Sequence, residues 1–252
     1  MIIYKTEEEI KCMKESNYIV AKILRELKKM IRPGLKTIEL ERYADKRIEE
    51  MGAKPAFKGY RGFPYSLCVS VNEEIVHGIP SERRLKEGDI VSLDLGVYYK
   101  GYYGDAAITV GVGEVPPESK RLMEVGEKAL EIGINMAKEG NRISDISNAI
   151  QKFVEENGFS VIRDFVGHGI GTSLHEDPQI PNFGPPGRGP KIKRGMVLAI
   201  EPMIAAGGYE VEILSDSWTA VTKDRSRAVH FEHSVAVTSN GPLILSSFNE
   251  EE

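Results

Sequence analysis

The chain of 252 residues contains only two cysteines, Cys12 and Cys68, and they fall in segments of different predicted type. A disulfide between them is therefore not expected. No apolar run approaches the roughly 18 to 20 residues that a membrane-spanning helix needs. The first nine residues, MIIYKTEEE, also lack the apolar core of a signal peptide. These absences favour a cytoplasmic protein.

An excess of positive charge is also missing, since the net charge is -5 and the pI is about 5.7. This balance argues against a dedicated nucleic-acid site or an anionic-membrane surface. Hydrophobic residues make up 41% and charged residues 28% of the chain, as in soluble globular proteins. A chain of this length can bury one substantial core. We therefore expect a single domain over residues 1–252.

Helical periodicity dominates the first fifty residues. Thr6 and Glu9 form a capping box, and apolar residues then recur at helical spacing until Pro33 and Gly34 end the pattern. A second helix is predicted over residues 37–52.

Shorter, strand-like segments follow from about residue 66 to residue 112, with a hairpin through residues 98–101. The order then recurs, because one helix is predicted from Pro116 to Gly140 and another over about residues 144–158. The irregular stretch 182–190 is predicted to be a surface loop.

The chain resembles itself weakly at an offset of 106 positions, where Gly34 meets Gly140 and Leu40 meets Ile146. Two similar helix pairs would give part of this pattern without a duplication. We predict an α+β fold of two pseudo-symmetric helix-helix-sheet halves, about residues 5–113 and 114–245. A boundary between halves is a common location for a metal or substrate pocket.

Five side chains of the kinds that bind divalent metals lie in apolar or glycine-bounded strings. They are Asp94 in IVSLDLG, Asp105 in YGDAAIT, His168 in FVGHGIG, Glu201 in LAIEPMI and Glu232 in HFEHSVAV. A buried carboxylate is costly unless it is paired or bound to metal. Histidine is the only basic residue in or beside these strings, so a metal is the predicted compensating charge. Four carboxylates and one imidazole suit two ions of Mn, Fe, Co or Zn.

Each residue taken alone also has an ordinary interpretation. Asp94 and Asp105 could be aspartates near a turn, although alternation places Asp94 on the face opposite the apolar residues of its strand. A lone histidine such as His168 is more often packed than ligating. The glycine string around His168 resembles a phosphate-binding loop. It lacks the Lys-Ser/Thr of a P-loop and the strand-helix context of a dinucleotide site, so a phosphate-binding loop is excluded. Glu232 would fit an exposed edge strand, whereas Glu201 follows an apolar run and has fewer alternatives.

The joint set closely resembles type I methionine aminopeptidases. The strings SLDLG, YGDAA, GHGIGTSLHEDP, AIEPM and HFEHS carry the resemblance over about residues 5–245. VSVNEEIVHGIP around His77 and DSWTAVTKDRS around Trp218 strengthen it. The resemblance implies the pita-bread fold around a dinuclear metal site and removal of initiator methionine from nascent chains with a small second residue. Glu201 follows His175 by only 26 positions, which excludes the long insertion typical of type II enzymes.

The resemblance also implies a role for each candidate ligand. Asp94 would chelate one metal, and Asp105 and Glu232 would bridge both. His168 and Glu201 would complete the other metal, and Glu201 would handle the proton of the attacking water.

Further residues would act on the substrate. His77 and His175 would stabilise the tetrahedral intermediate or bind the substrate backbone, as neutral imidazoles can. The methionine pocket would include Tyr60, Phe63, Cys68 and Trp218, with Phe57 and Leu174 at its rim. Asn72 resembles the start of a monovalent-cation site built from main-chain carbonyls.

Two rival functions share some of these features. Proline-specific aminopeptidases and prolidases have the same fold and ligand order, but they usually carry an additional N-terminal domain, and His77 with Trp218 favours methionine. A metal-free peptide-binding module of this fold would be expected to lose ligands, whereas all five are present. The predicted partners are peptides and nascent chains with N-terminal methionine. Ribosome docking suits this task, although no basic tail marks a docking surface, and a monomer is the default.

Overall fold

A computed structural model of the chain describes residues 1–248. The helices are α1 (Glu7–Met30), α2 (Thr37–Glu50), α3 (Pro117–Met136) and α4 (Ile143–Glu156). The strands are β1 (Lys54–Pro55), β2 (Leu67–Val71), β3 (Glu74–Val76), β4 (Ile90–Tyr99), β5 (Tyr102–Gly111), β6 (Ser160–Val161), β7 (Gly167–Gly169), β8 (Glu176–Ile180), β9 (Val197–Ile200), β10 (Met203–Ala205), β11 (Val211–Ile213), β12 (Ala220–Thr222), β13 (Ala228–His230), β14 (Glu232–Thr238) and β15 (Gly241–Ile244). A short 3₁₀ helix spans Tyr60–Gly62.

The start of α1 confirms the predicted capping box. Thr6 Oγ1 accepts from the backbone N–H of Glu9 at 3.2 Å, and Glu9 Oε2 accepts from the N–H of Thr6 at 2.7 Å. These two bonds satisfy backbone donors that have no partner inside the helix.

Helix α3 ends at Met136, four residues before the predicted end at Gly140. The backbone tightens there, since the N–H of Ala137 donates to the carbonyl of Ile134 at 2.9 Å. The side chain of Asn141 then donates to the freed carbonyl of Met136 at 2.9 Å. This side chain caps the last turn, an interaction that apolar periodicity does not show.

The helix pairs are spaced as the internal comparison predicts. Helices α2 and α4 each have 14 residues, and α4 begins 106 residues after α2. The division of the chain into two related halves stays a prediction.

A nine-stranded sheet forms the centre of the fold, and its main path runs β1-β4-β5-β14-β9-β7-β8. The alternating apolar residues of β4 share one face, as predicted, and the structure packs them against α1 and α2; they are Val91, Leu93, Leu95 and Val97. In the other half, the core against α3 and α4 includes Leu198, Ile200, Val235 and Val237. All four helices therefore cover one face of the sheet, which leaves the other face for the polar side chains.

Three further predictions can be compared with the structure. Cys12 lies in α1 and Cys68 in β2, and neither forms a disulfide within residues 1–248. Residues 185–190 are exposed, as expected of a surface loop, but Asn182 is buried because its side chain donates to the carbonyl of Glu201 at 3.0 Å. No helix within residues 1–248 has both the length and the apolar character required to cross a membrane.

Candidate metal centre and substrate cavity

The five candidate ligands come from consecutive strands on the main path of the sheet. They are Asp94 on β4, Asp105 on β5, Glu232 on β14, Glu201 at the end of β9 and His168 on β7. Directly paired residues of antiparallel strands lie on the same face.

Strand register shows that the ligands share the face opposite the helices. Ala107 of β5 pairs with both Asp94 and Glu232. Asp105 lies two positions from Ala107 and therefore points the same way. On the other side, Ala199 pairs with both His168 and Ser234, and Ser234 is two positions from Glu232. The small side chains of Ala107 and Ala199 leave the space between the ligands open.

The glycines beside His168 allow the strands to approach closely. A Cβ atom at Gly167 would lie 2.4 Å from the carbonyl oxygen of Ala199, and one at Gly169 would lie 2.2 Å from that of Asp177. Both separations are far below van der Waals contact. These two glycines therefore make room for neighbouring backbone.

The ligand atoms converge over the middle of this face. One oxygen or nitrogen from each of Asp105, His168 and Glu232 lies within 4.8 Å of the other two. Nε2 of His168 is 3.5 Å from Oε1 of Glu201. In the same way, one ligand atom from each of Glu201, His230 and Glu232 lies within 4.8 Å of the other two.

Burial of these carboxyl groups next to one another opposes their ionisation. Desolvation raises the pKa of Asp94 to about 7. Desolvation, followed by repulsion from neighbouring carboxylates, raises the pKa values of Asp105 and Glu232 well above their ordinary range. Desolvation does the same to the pKa of Glu201. A cation at this position would lower these pKa values and favour the ionised carboxylates.

The buried oxygen atoms of the cluster are better suited to binding a metal ion than to hydrogen bonding with one another. Oδ1 of Asp94, Oδ1 of Asp105 and Oε1 of Glu232 are buried and have no hydrogen-bond partner among residues 1–248. Buried acceptors without partners are rare in native proteins. Hard oxygen ligands with one imidazole are a donor set that divalent first-row metals accept.

His168 is held in the tautomer that a metal requires. Its Nδ1–H donates to the carbonyl of Gly169 at 2.9 Å, which leaves the lone pair of Nε2 directed toward Glu201. Burial lowers the pKa of His168 to about 4, so the ring is neutral at pH 7. Metal-bound histidines commonly donate their other nitrogen to a backbone carbonyl in this way.

A cavity of about 190 Å³ opens above the cluster. Every residue predicted for the site lines it: Phe57, Tyr60, Phe63, Cys68, His77, Asp94, Asp105, His168, Leu174, His175, Glu201, Trp218 and Glu232. The cavity is smaller than the roughly 300 to 1,000 Å³ of pockets for drug-sized ligands. It therefore suits a single amino-acid side chain.

The two further histidines are held at the cavity by aromatic neighbours. The ring of His175 stacks on Tyr60 with centroids 5.2 Å apart, and its Nδ1 is 2.9 Å from the Tyr60 hydroxyl. His77 has a left-handed φ of 59° and meets the ring of Phe165 edge-on at 5.4 Å. Desolvation lowers the pKa values of His77 and His175 to about 4, so both rings are neutral donors or acceptors at pH 7.

Aromatic and sulfur groups form the apolar wall. The rings of Phe63 and Trp218 meet edge-on with centroids 5.2 Å apart. Cys68 pairs with Asp94 across β2 and β4. Burial, followed by the nearby carboxylates, raises the pKa of the Cys68 thiol well above its ordinary value. The thiol is thus a neutral wall of the cavity, as the sequence predicted.

The sequence did not identify two residues at the site. Arg61 lines the cavity with its guanidinium 5.5 Å from the centre of the Tyr60 ring, and no pattern in its exposed turn indicates this. His230 lies 3.4 Å from Glu201. The alternation in His230-Phe231-Glu232 would have placed His230 on the same side as Glu232. The cation site at Asn72 stays a prediction, and the carbonyl of that residue accepts from the N–H of Ala228 at 2.8 Å.

Residues 11–239 match the sequence profile of metallopeptidase family M24. The chain belongs to this family. Methionine aminopeptidase 1 of Bacillus subtilis is 54% identical to it over 246 residues, which cover 98% of this chain and 99% of the relative.

Solved structures agree with this membership. The crystal structure of a methionine aminopeptidase from Thermotoga maritima matches this M24 protein with a TM-score of 0.96 at 51% identity, covering 98% of this chain and 100% of the other. A prolidase from Pyrococcus furiosus matches with a TM-score of 0.81 at 24% identity, covering 98% of this chain and 66% of the prolidase. The prolidase shows the shared fold alone. The pita-bread fold expected from the resemblance is confirmed.

Proposed function

We propose that this M24 protein is a metal-dependent aminopeptidase that removes the initiator methionine from nascent proteins whose second residue is small. One observation carries the proposal: the five side chains suited to binding metal line the same cavity as a set of aromatic and sulfur-containing side chains. Relatives with 40% to 54% identity over nearly the whole chain bear the name methionine aminopeptidase.

The side chains that would hold two divalent ions are Asp94, Asp105, His168, Glu201 and Glu232. When bound, such ions polarise the scissile carbonyl and lower the pKa of a water so that it becomes a nucleophile at neutral pH. Mn, Fe, Co and Zn all suit this donor set. Activity measured with each metal under anaerobic conditions would decide between them.

Glu201 takes the proton of the attacking water at one carboxylate oxygen and passes it to the leaving amine. Its position in the wall of the cavity supports this role, because a peptide bound there would bring its scissile bond close to the carboxylate. General acid-base catalysis of this kind contributes about 10²- to 10⁴-fold to rate.

His175 and His77 stabilise the negative charge that develops on the carbonyl oxygen. The Tyr60 hydroxyl lies 2.9 Å from Nδ1 of His175. By donating there it would leave the proton of this neutral imidazole on Nε2, where it serves as a donor. A preorganised donor at an oxyanion contributes about 2.7 to 4 kcal/mol.

The cavity selects methionine by shape and softness. Its wall includes Tyr60, Phe63, Cys68 and Trp218, with Phe57 and Leu174 beside them. A thioether gains about 0.3 to 1.5 kcal/mol from contact with an aromatic edge. An unbranched side chain also fits a narrow cavity of about 190 Å³.

Peptide cleavage tests the proposal directly. Met-Ala-Ser should be hydrolysed with release of methionine, and much faster than Ala-Pro-Pro. Faster hydrolysis of Ala-Pro-Pro would instead establish a proline-specific enzyme. Equal rates for Met-Ala, Met-Leu and Met-Lys peptides would contradict the preference for a small second residue.

A Glu201→Ala variant separates an enzyme from a peptide-binding module. The variant should lose hydrolysis and bind less metal by elemental analysis, because a ligand and a proton acceptor are removed together. A protein that binds the peptide equally well with or without metal and Glu201 would be a binding module. Action on nascent chains in the cytoplasm, docking to the ribosome and a monomeric state stay predictions.

A further inference from the structure

His230 approaches the metal-binding face from a different sheet. It lies at the end of β13, which pairs with β10, and its residue surface is 1% exposed. Neither ring nitrogen has a hydrogen-bond partner among residues 1–248. A buried imidazole without partners is costly, because both nitrogens have lost their water.

The backbone of His230 is fixed on two sides. It pairs with Met203 of β10, and on the other side it meets the hydroxyl of Thr109. Thr109 Oγ1 donates to the His230 carbonyl at 2.9 Å and accepts from its N–H at 3.0 Å. The direction of the side chain therefore follows from two strands that are already in place.

The ring meets one oxygen of Glu201. Nε2 of His230 is 3.4 Å from Oε2 of Glu201, while Nε2 of His168 is 3.5 Å from the other oxygen, Oε1. Both separations are slightly longer than a hydrogen bond, as is common at sites that tighten when substrate or metal binds.

The two imidazoles differ in what they present to this carboxylate. His168 donates its Nδ1–H to the carbonyl of Gly169. Its Nε2 therefore carries a lone pair, which can bind a metal. His230 has no other partner to set its tautomer. Once a bound cation holds the Glu201 carboxylate in its ionised form, a proton on Nε2 is attracted by Oε2, whereas a lone pair there would be repelled.

We propose that His230 is a positioning residue that donates its Nε2–H to Oε2 of Glu201 and so fixes the orientation of that carboxylate. The inference rests on the proposed function, because it assigns a partner to the carboxylate that moves the proton. It also predicts that the ring is not itself a metal ligand.

Three variants test this role. His230→Leu removes the donor, and His230→Gln keeps an N–H donor. His233→Leu is the matched control, since the His233 ring lies on the helix-covered face beside Phe248 and bonds to Ser246 Oγ. Mn²⁺ binding to the chelator-stripped proteins is measured by titration calorimetry, and Met-Ala-Ser hydrolysis gives kcat and KM.

The His230→Leu variant should lose about 10- to 100-fold in Mn²⁺ affinity and in kcat, as expected for removal of a residue that orients a ligand. Its KM should change little, His230→Gln should recover most of the loss, and His233→Leu should behave like wild type. In Zn²⁺-loaded, ¹⁵N-histidine-labelled wild type, the resonances absent from His230→Gln should report a proton on Nε2. This last measurement does not depend on the folding of His230→Leu.

Three results would overturn the proposal. They are wild-type affinity and kcat in His230→Leu, a proton on Nδ1 of His230 in the Zn²⁺-loaded protein, or loss of one bound Mn²⁺ in His230→Gln, which would make the ring a ligand. A failure of the proposed function is a separate observation, namely a wild-type protein that does not release methionine from Met-Ala-Ser.

Discussion

Lys5 and Glu176 form an ion pair that is almost completely withdrawn from water, and its loss should be costly. Their side chains are 2% and 5% exposed, and Lys5 Nζ donates to Glu176 Oε2. The pair joins the segment before α1 to the loop that carries Leu174 and His175 at the cavity. The backbone N–H of Lys5 also donates to the carbonyl of Gly195 at 2.7 Å.

The perturbation is Lys5→Met, which keeps a long apolar side chain and removes the charge. Glu176 would retain the backbone N–H of Ser173, 3.2 Å from Oε1, but no cation. Breaking a buried pair from one side typically costs about 3 to 5 kcal/mol, because the other charge is left uncompensated. The free energy of unfolding should fall by that amount, and kcat/KM should fall with it as the loop loosens.

Equilibrium unfolding in urea at fixed metal concentration measures the change. Lys128→Met is the control, because its pair with Glu131 has side chains 52% and 59% exposed and should contribute about 0 to 1 kcal/mol. Lys5→Met combined with Glu176→Gln leaves no buried charge and should recover most of the loss. A cost for Lys5→Met no larger than that of Lys128→Met would refute the reasoning.

Other predictions concern specificity, catalysis, pH and metal. Asp216 accepts hydrogen bonds from the backbone N–H groups of Trp218 and Thr219, each at 2.8 Å. Asp216→Ala should therefore cost about 1 kcal/mol of substrate binding, about fivefold in KM, with a shift in the emission of the only tryptophan; unchanged emission and KM would contradict this. His175→Ala should lower kcat about 10²- to 10³-fold while calorimetric metal affinity is preserved, and loss of metal binding would make His175 a ligand instead. Burial raises the pKa of the Glu41 carboxyl above 4.5, against the lowering by backbone donors. The folded chain thus holds this proton more tightly than the unfolded chain, so the stability of wild type relative to Glu41→Gln should fall as the pH rises above about 4.5 in urea titrations, and a pH-independent difference would exclude the effect. Adding Mn²⁺ back to chelator-stripped protein at about 100 times its Kd should raise the free energy of unfolding by about 2.7 kcal/mol per site. A melting temperature that does not change when Mn²⁺ is added would argue against a resident ion.

Local patterns were sufficient to predict the four helices, apart from the end of α3. The capping box at Thr6 and the turn at Gly34 enclose α1, because capping and left-handed turns depend on atoms a few residues apart. The end of α3 was predicted four residues too late, since the cap comes from the side chain of Asn141 and not from the apolar pattern.

Most members of the candidate site were also predicted from the sequence; Arg61 and His230 were not. Carboxylates and a histidine in apolar strings are costly unless something compensates them, and all thirteen residues named for the site line one cavity. Their ligand order and the strings around His77 and Trp218 carried the resemblance to the methionine aminopeptidases. The roles of the individual residues stay predictions.

The sequence by itself thus determined most of the helix positions, the family, and the candidate metal ligands. These ligands stood out because they are carboxylates and a histidine within apolar strings. Only the tertiary structure decided which atoms meet: the Tyr60 hydroxyl at His175, the backbone that excludes a side chain at Gly167, and His230 beside Glu201. The physical reason is the range of the forces involved. Propensity and capping act between near neighbours, whereas these contacts join segments far apart in the chain, such as Tyr60 and His175, that only the assembled fold brings together.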